Sequence, residues 1–250
     1  MHAIRAFILL GALACYDVAY AQSIGLSKGN GQWLHYYNQT KVSENWNLQF
    51  DGGYRWSEYF QHSSQYIVRT GVGYCFNPTV SVSTGFAHLG FLSNEKVARM
   101  EFRPYQELFI KQPIRSVELL HRYRVEGRFF RPFANGEMQE PASFNVRFRY
   151  AIMLRIPLFK LSTKHPSMKV ELNVGDELFI NAGKGIVYNV FDQNRVIISP
   201  TIHFTDGLAV SFTYISLFGA VNEKAKYVYR DIVWLQVRHR LSFTRKQPQP

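Results

Sequence analysis

Apolar and polar side chains alternate along almost the whole chain. Trp46, Leu48, Phe50, Tyr54 and Trp56 interleave with Asn47, Gln49, Asp51 and Arg55, and Tyr66, Val68, Thr70, Val72, Tyr74 and Phe76 keep the same rhythm. The pattern returns over Val80–Phe86, Met100–Ile110, Val117–Phe129, Phe144–Ile156, Val170–Ile180, Val196–Phe204, Val210–Tyr214 and Tyr229–Phe243. Successive side chains of a strand point to opposite faces, so period two predicts strands with unlike faces. No stretch keeps the i, i+3, i+4 apolar stripe of a helix between capping residues. Short turn signals at 43–45, 77–79, 111–116, 162–167 and 205–207 alternate with longer polar connections near 59–65, 92–97, 132–142, 183–193 and 220–226. That rhythm predicts an all-β, antiparallel up-and-down meander closed into one barrel.

Which face lies inside decides the solvent. A soluble barrel hides its apolar face, whereas a membrane barrel turns it outward between aromatic girdles and keeps a polar lumen. Many segments are long enough for a tilted bilayer crossing, which takes about 9–11 residues. Trp46, Trp56, Tyr66, Phe76, Phe144 and Phe159 sit toward segment ends, where interfacial rings belong. The opposite face is charged at mid-strand. HRYRVEGRFF (121–130) shows it best, with Arg122, Arg124, Glu126 and Arg128 on one face and Tyr123, Val125 and Phe129 on the other. Arg99, Glu101, Arg103 and Glu107 precede that run, and Arg147, Arg149, Arg155, Glu171, Asn173 and Glu177 follow it. On neighbouring antiparallel strands such acids and bases form a cross-strand ladder. The expectation is a transmembrane β-barrel of 10–12 strands over residues 32–243 with this ladder in its lumen. Eleven segments alternate, the first at Trp33–Val42, yet bacterial single-chain barrels carry even numbers of strands. Either the first segment is not a full crossing or two strands are merged.

The chain ends support export. MHAIR is a short basic start, AFILLGALAC an apolar core, and Ala19-Tyr20-Ala21 an A-x-A cleavage site, which predicts a signal peptide over 1–21. A lipoprotein signal centred on Cys15 is disfavoured because Ala12 stands where Leu is usual. A short lead (22–31) precedes the barrel and a polar tail (244–250) follows it. Val233, Leu235, Val237, Leu241 and Phe243 share one face of the last strand. An apolar strand ending on an aromatic suits recognition by barrel-assembly machinery, although residues follow Phe243 here. The expected location is the outer membrane of a Gram-negative bacterium, with lipid and lipopolysaccharide as neighbours.

The KVSENWNLQFDGGYRW segment, the RYRVEGRF arm (122–129), and DELFIN followed by FDQNR (191–195) resemble an uncharacterised bacterial outer-membrane barrel family, domain of unknown function 2490. The resemblance covers about residues 32–243. It implies an outer-membrane barrel and no established activity.

The net charge is +11, and luminal Arg would favour anions at a constriction. The sequence therefore points to a structural scaffold or to a narrow, weakly anion-favouring channel for a small anionic solute. Asn181, Asp192, Gln193, Asn194 and Arg195 form a candidate contact at the barrel mouth, or simply tie a loop to the lumen. The alternative is a lipid-acting, phospholipase-like hydrolase. His121, His203 and His239 and Ser199, Ser211 and Ser216 supply the residue types, but no G-x-S-x-G motif binds them together. No catalytic residue, cofactor or metal site is expected, because H-x-H, H-E-x-x-H and paired-cysteine spacings are missing. Signal removal leaves Cys75 without a disulfide partner. Nucleic acid is not an expected partner, since the Arg residues alternate along strands instead of clustering with exposed aromatics.

Overall fold

The computed structural model describes residues 25–244 apart from 185, 187, 188, 222, 224 and 225. The signal segment, the first residues of the lead and the tail beyond Thr244 lie outside the described residues. The strands are β1 (Gly25–Lys41), β2 (Trp46–Ser57), β3 (His62–Cys75), β4 (Val80–Ser93), β5 (Lys96–Ile114), β6 (Val117–Ala134), β7 (Glu137–Met138), β8 (Ser143–Lys160), β9 (Lys169–Ala182), β10 (Phe191–His203), β11 (Leu208–Ala220) and β12 (Lys226–Ser242). The two-residue β7 only folds back on the end of β6. The other eleven strands form one closed barrel.

Closure resolves the awkward strand count. Neighbours in sequence pair antiparallel, but β1 and β12 run parallel, in register from Gly25 opposite Lys226 to Lys41 opposite Ser242. A parallel seam lets an odd number of strands close, so the first segment is a full strand and no two strands are merged. The barrel is mixed, not wholly antiparallel. The chain consequently enters the barrel at one rim and leaves it at the other.

The register also sets the tilt. From Glu118 on β6, cross-strand partners run through Arg155, Asn173, Ser199, Thr213, Trp234, Trp33, Arg55, Gln65, Phe91 and Arg99 and return to β6 at Pro132. A stagger from residue 118 to residue 132 around eleven strands corresponds to a tilt of roughly 40–45°.

Strands outrun the expected turns. The sequence pattern predicts a connection at KQPIRS, but β5 continues to Ile114, with Pro113 opposite Glu118, and only Arg115 and Ser116 turn the chain. At the other rim Asn94–Glu95 and Asn135–Gly136 have positive φ at both positions, the twist that suits two-residue hairpins.

The faces are as the alternation predicts. Leu34, Leu48, Phe50, Val68, Phe86, Val125, Phe148, Val196, Ile198, Phe212 and Val233 all point outward and are exposed. Inside, Glu101 and Glu126 are fully enclosed. The lumen is not uniformly polar. Ile67, Ala87 and Leu89 form one inward apolar cluster and Ile215, Leu217 and Ile232 another. Two strand glycines make room for inward rings: a Cβ on Gly53 would meet His35 at 1.8 Å, and one on Gly85 would meet the Tyr105 ring at 2.7 Å.

Candidate functional site: the luminal layer

The chemistry-bearing side chains gather where β5, β6, β8 and β9 face the lumen. Arg124 stands opposite Glu107 and Arg149, and Glu126 opposite Tyr105 and Arg147. This register turns sequence alternation into a charge layer.

Glu126 is its centre. Arg147 donates to Oε2 of Glu126 from both Nε and Nη2, at 2.8 and 2.6 Å, while Nη1 of Arg149 donates to Oε1 at 2.7 Å. Arg103 and Arg124 lie at 3.7 Å from the same carboxylate. Glu177 accepts from Arg149 at 2.6 Å and from Arg122 at 2.5 Å. Glu101 accepts from Arg103 at 2.7 Å and Arg128 at 2.8 Å, and Glu107 accepts from Arg124 at 2.7 Å. Nearer the short-turn rim, Glu171 accepts from Lys169 and contacts His203, while Arg155 donates to Glu118. Burying a charge is tolerable only when partners and hydrogen bonds replace water, and these carboxylates have both. Arg99 departs from the expected ladder: it lies over Phe91 and Phe130 and has no carboxylate within ion-pair distance among the described residues.

The predicted mouth motif divides. A bulge at Phe191–Gln193 starts β10. Asp192 turns inward to accept from Nη1 of Arg147 at 3.0 Å, and Arg195 reaches the lumen between Phe179 and Trp33. Gln193 also lines the lumen. Asn194 instead faces out and donates to Asp176 at 2.7 Å, so it is no part of the mouth. Asn181 is buried opposite Arg147.

The far wall holds residues that sequence reasoning did not single out. Arg69 donates to both oxygens of Asp51, at 2.8 and 2.9 Å. Arg55 lies over the Trp33 indole, 3.9 Å from its centroid, and donates to Gln65 at 2.7 Å. Trp33, His35 and Trp234 pack on one another. Arg55 and Arg69 carry the same alternation signal as the ladder. Trp33 and His35 do not, because WLHYY places aromatics on both faces of β1.

Near and far walls share one cavity of about 1430 Å³, lined by Ser27 and Lys28 at one rim and by Asn77 and Lys111 at the other. The histidines and serines considered for lipid hydrolysis are separated. His121 and His239 face out and bond Tyr150 and Tyr36, whereas His203 bonds Glu171 inside. Ser199 and Ser211 pair with Thr213 and Thr201, and Ser216 pairs with Tyr229.

A family model described as a protein of unknown function, DUF2490, matches residues 30–228. The chain belongs to this family. No curated protein and no solved structure matches it. The match takes in β2–β11, most of β1 and the start of β12, and with them the whole Arg/Glu layer. The family description names no activity, so the site itself must supply the functional reading.

Proposed function

We propose that the protein is an outer-membrane barrel whose lumen forms a narrow conduit favouring small anions. Support for the membrane comes from the outer face. Phe212 is 56% exposed and Val233 60%, within a band of apolar side chains encircling the barrel. Water-soluble monomers rarely expose a contiguous apolar surface of this kind. The eleven barrel strands hold 12–19 residues, and at the tilt above the shortest rises roughly 30 Å, enough for the apolar core of an outer membrane. Exposed Phe243 directly follows the last strand, where barrel-assembly machinery would engage it.

The observation that carries the conduit is the single cavity reaching both rims past a layer with more guanidinium than carboxylate groups. Arg55, Arg99 and Arg238 have no acidic partner among the described residues, and such uncompensated bases raise the local concentration of anions. Planar-bilayer recording of purified protein tests it. Discrete steps with a reversal potential on the anion side of a salt gradient are expected. Their absence even at high voltage would remove the conduit. The second reading, a scaffold with a plugged lumen, would then stand on the dense pairing around Glu126.

A further inference from the structure

Arg55 and Arg195 both stack on the Trp33 ring, and Arg195 also lies over Phe179. Arg55 lies 3.9 Å and Arg195 5.2 Å from the Trp33 centroid. Stacking satisfies the flat faces of a guanidinium and leaves its N–H edge free to donate. Arg195 comes no nearer to a carboxylate than 4.0 Å, from Oε2 of Glu177, whose other oxygen, Oε1, accepts from both Arg122 and Arg149. Arg55 has no carboxylate partner among the described residues; its one bond is to the neutral amide of Gln65.

The surrounding donors are unpaired too. Nε of Arg55, Nε of Arg195, Nε2 of His35 and Nε1 of Trp234 are all buried and meet no hydrogen-bonding group of the described protein. His35 is only 2% exposed, and its Nδ1 is engaged by the Tyr37 hydroxyl at 3.0 Å. If Nδ1 accepts from Tyr37, the unpaired Nε2 carries a proton. Arg99 and Arg238 also lack carboxylates, but neither leaves a buried N–H without a partner. Unmet donors thus collect around one indole, on the wall of the luminal cavity. A buried polar atom without a partner is costly, more so when it belongs to a charged group, so four in one place describe a site and not scattered defects.

We propose that the Trp33–Arg55–Arg195 cluster, with His35 and Trp234, is a binding site for a small oxyanion, a carboxylate or a phosphate. Guanidinium edges match the paired oxygens of either group, and the indole and imidazole donors complete its coordination. The proposal deepens the conduit reading and rests on the same luminal charge. Binding itself needs no conduction.

Tryptophan emission tests it in folded, detergent-solubilised protein carrying Trp46→Phe and Trp56→Phe, so that only Trp33 and Trp234 report. Inorganic phosphate and acetate are titrated separately at constant ionic strength. A saturable change with at least one probe is expected, and whichever binds tighter assigns phosphoryl or carboxylate preference. Arg55→Gln and Arg195→Gln should each weaken binding about tenfold or more, and Arg99→Gln should leave it unchanged. No saturable change with either probe, or wild-type affinity in both Gln variants, overturns the site. Should neither Gln variant fold, Trp234→Phe replaces them, since it keeps a ring and removes a donor; undiminished affinity there overturns the site. Binding without bilayer conductance supports the site and removes the conduit. Conductance without saturable binding does the reverse.

Discussion

Arg147 grips one oxygen of Glu126 with two N–H groups, and Glu126 is completely shielded from solvent. With Arg149 on the other oxygen, this carboxylate joins β6 to β8 through the lumen. Removing it leaves several guanidinium groups facing one another in a confined space. Glu126→Ala should therefore cost on the order of 3–5 kcal/mol, the usual penalty for orphaning a buried ion pair. Heat-modifiable gel mobility should show the mutant unfolding at clearly lower temperature. Mobility equal to wild type at every temperature would contradict the role given to Glu126.

His35 and Gly53 are register partners, and the ring occupies the space that a Cβ on Gly53 would need. Gly53→Ala should destabilise by about 1–3 kcal/mol through overpacking. In His35→Ala the same change should cost much less. A denaturant double-mutant cycle without coupling between the two positions would show that they do not share the space.

The parallel seam predicts a specific cross-link. Leu34 faces Leu235 across β1 and β12, both on the outer face. Neighbouring strands lie about 4.8 Å apart, within disulfide reach. In a Cys75→Ser background, Leu34→Cys with Leu235→Cys should oxidise to a cross-linked form that migrates faster on a denaturing gel. A barrel of ten strands closed without β1 would give no cross-link.

The strands of the charge layer were legible because their two faces differ in kind. In β6 every other residue from Arg122 to Arg128 is ionic and those between are mostly apolar, so period two gives both strand and orientation. β1 offers no such contrast: Trp33, His35 and Tyr37 point inward and Leu34 and Tyr36 outward, all of them bulky. Its status as a full strand depended on pairing with β12, a contact between chain ends that no local pattern reports. β11 misleads differently, because Ile215 and Leu217 face the lumen while Ser216 faces out to Tyr229. There the lumen is filled by apolar packing, and polarity no longer marks the inside. At the start of β10 Asn194 keeps the outward phase of Val196 and Ile198, while the bulge at Phe191–Gln193 shifts the register by one residue and turns Asp192 inward, out of that phase.

The barrel is proposed to be inverted, with its apolar face to lipid and its charge and the Trp33 cluster within. The four tryptophans divide evenly between the faces, Trp46 and Trp56 outside, Trp33 and Trp234 inside. Single-tryptophan variants reconstituted into vesicles of lipid with brominated acyl chains read that division directly. Emission of Trp46 and Trp56 should be strongly quenched by the bromines, and that of Trp33 and Trp234 scarcely affected. Equal quenching at all four positions, or none at Trp46 and Trp56, would contradict the account.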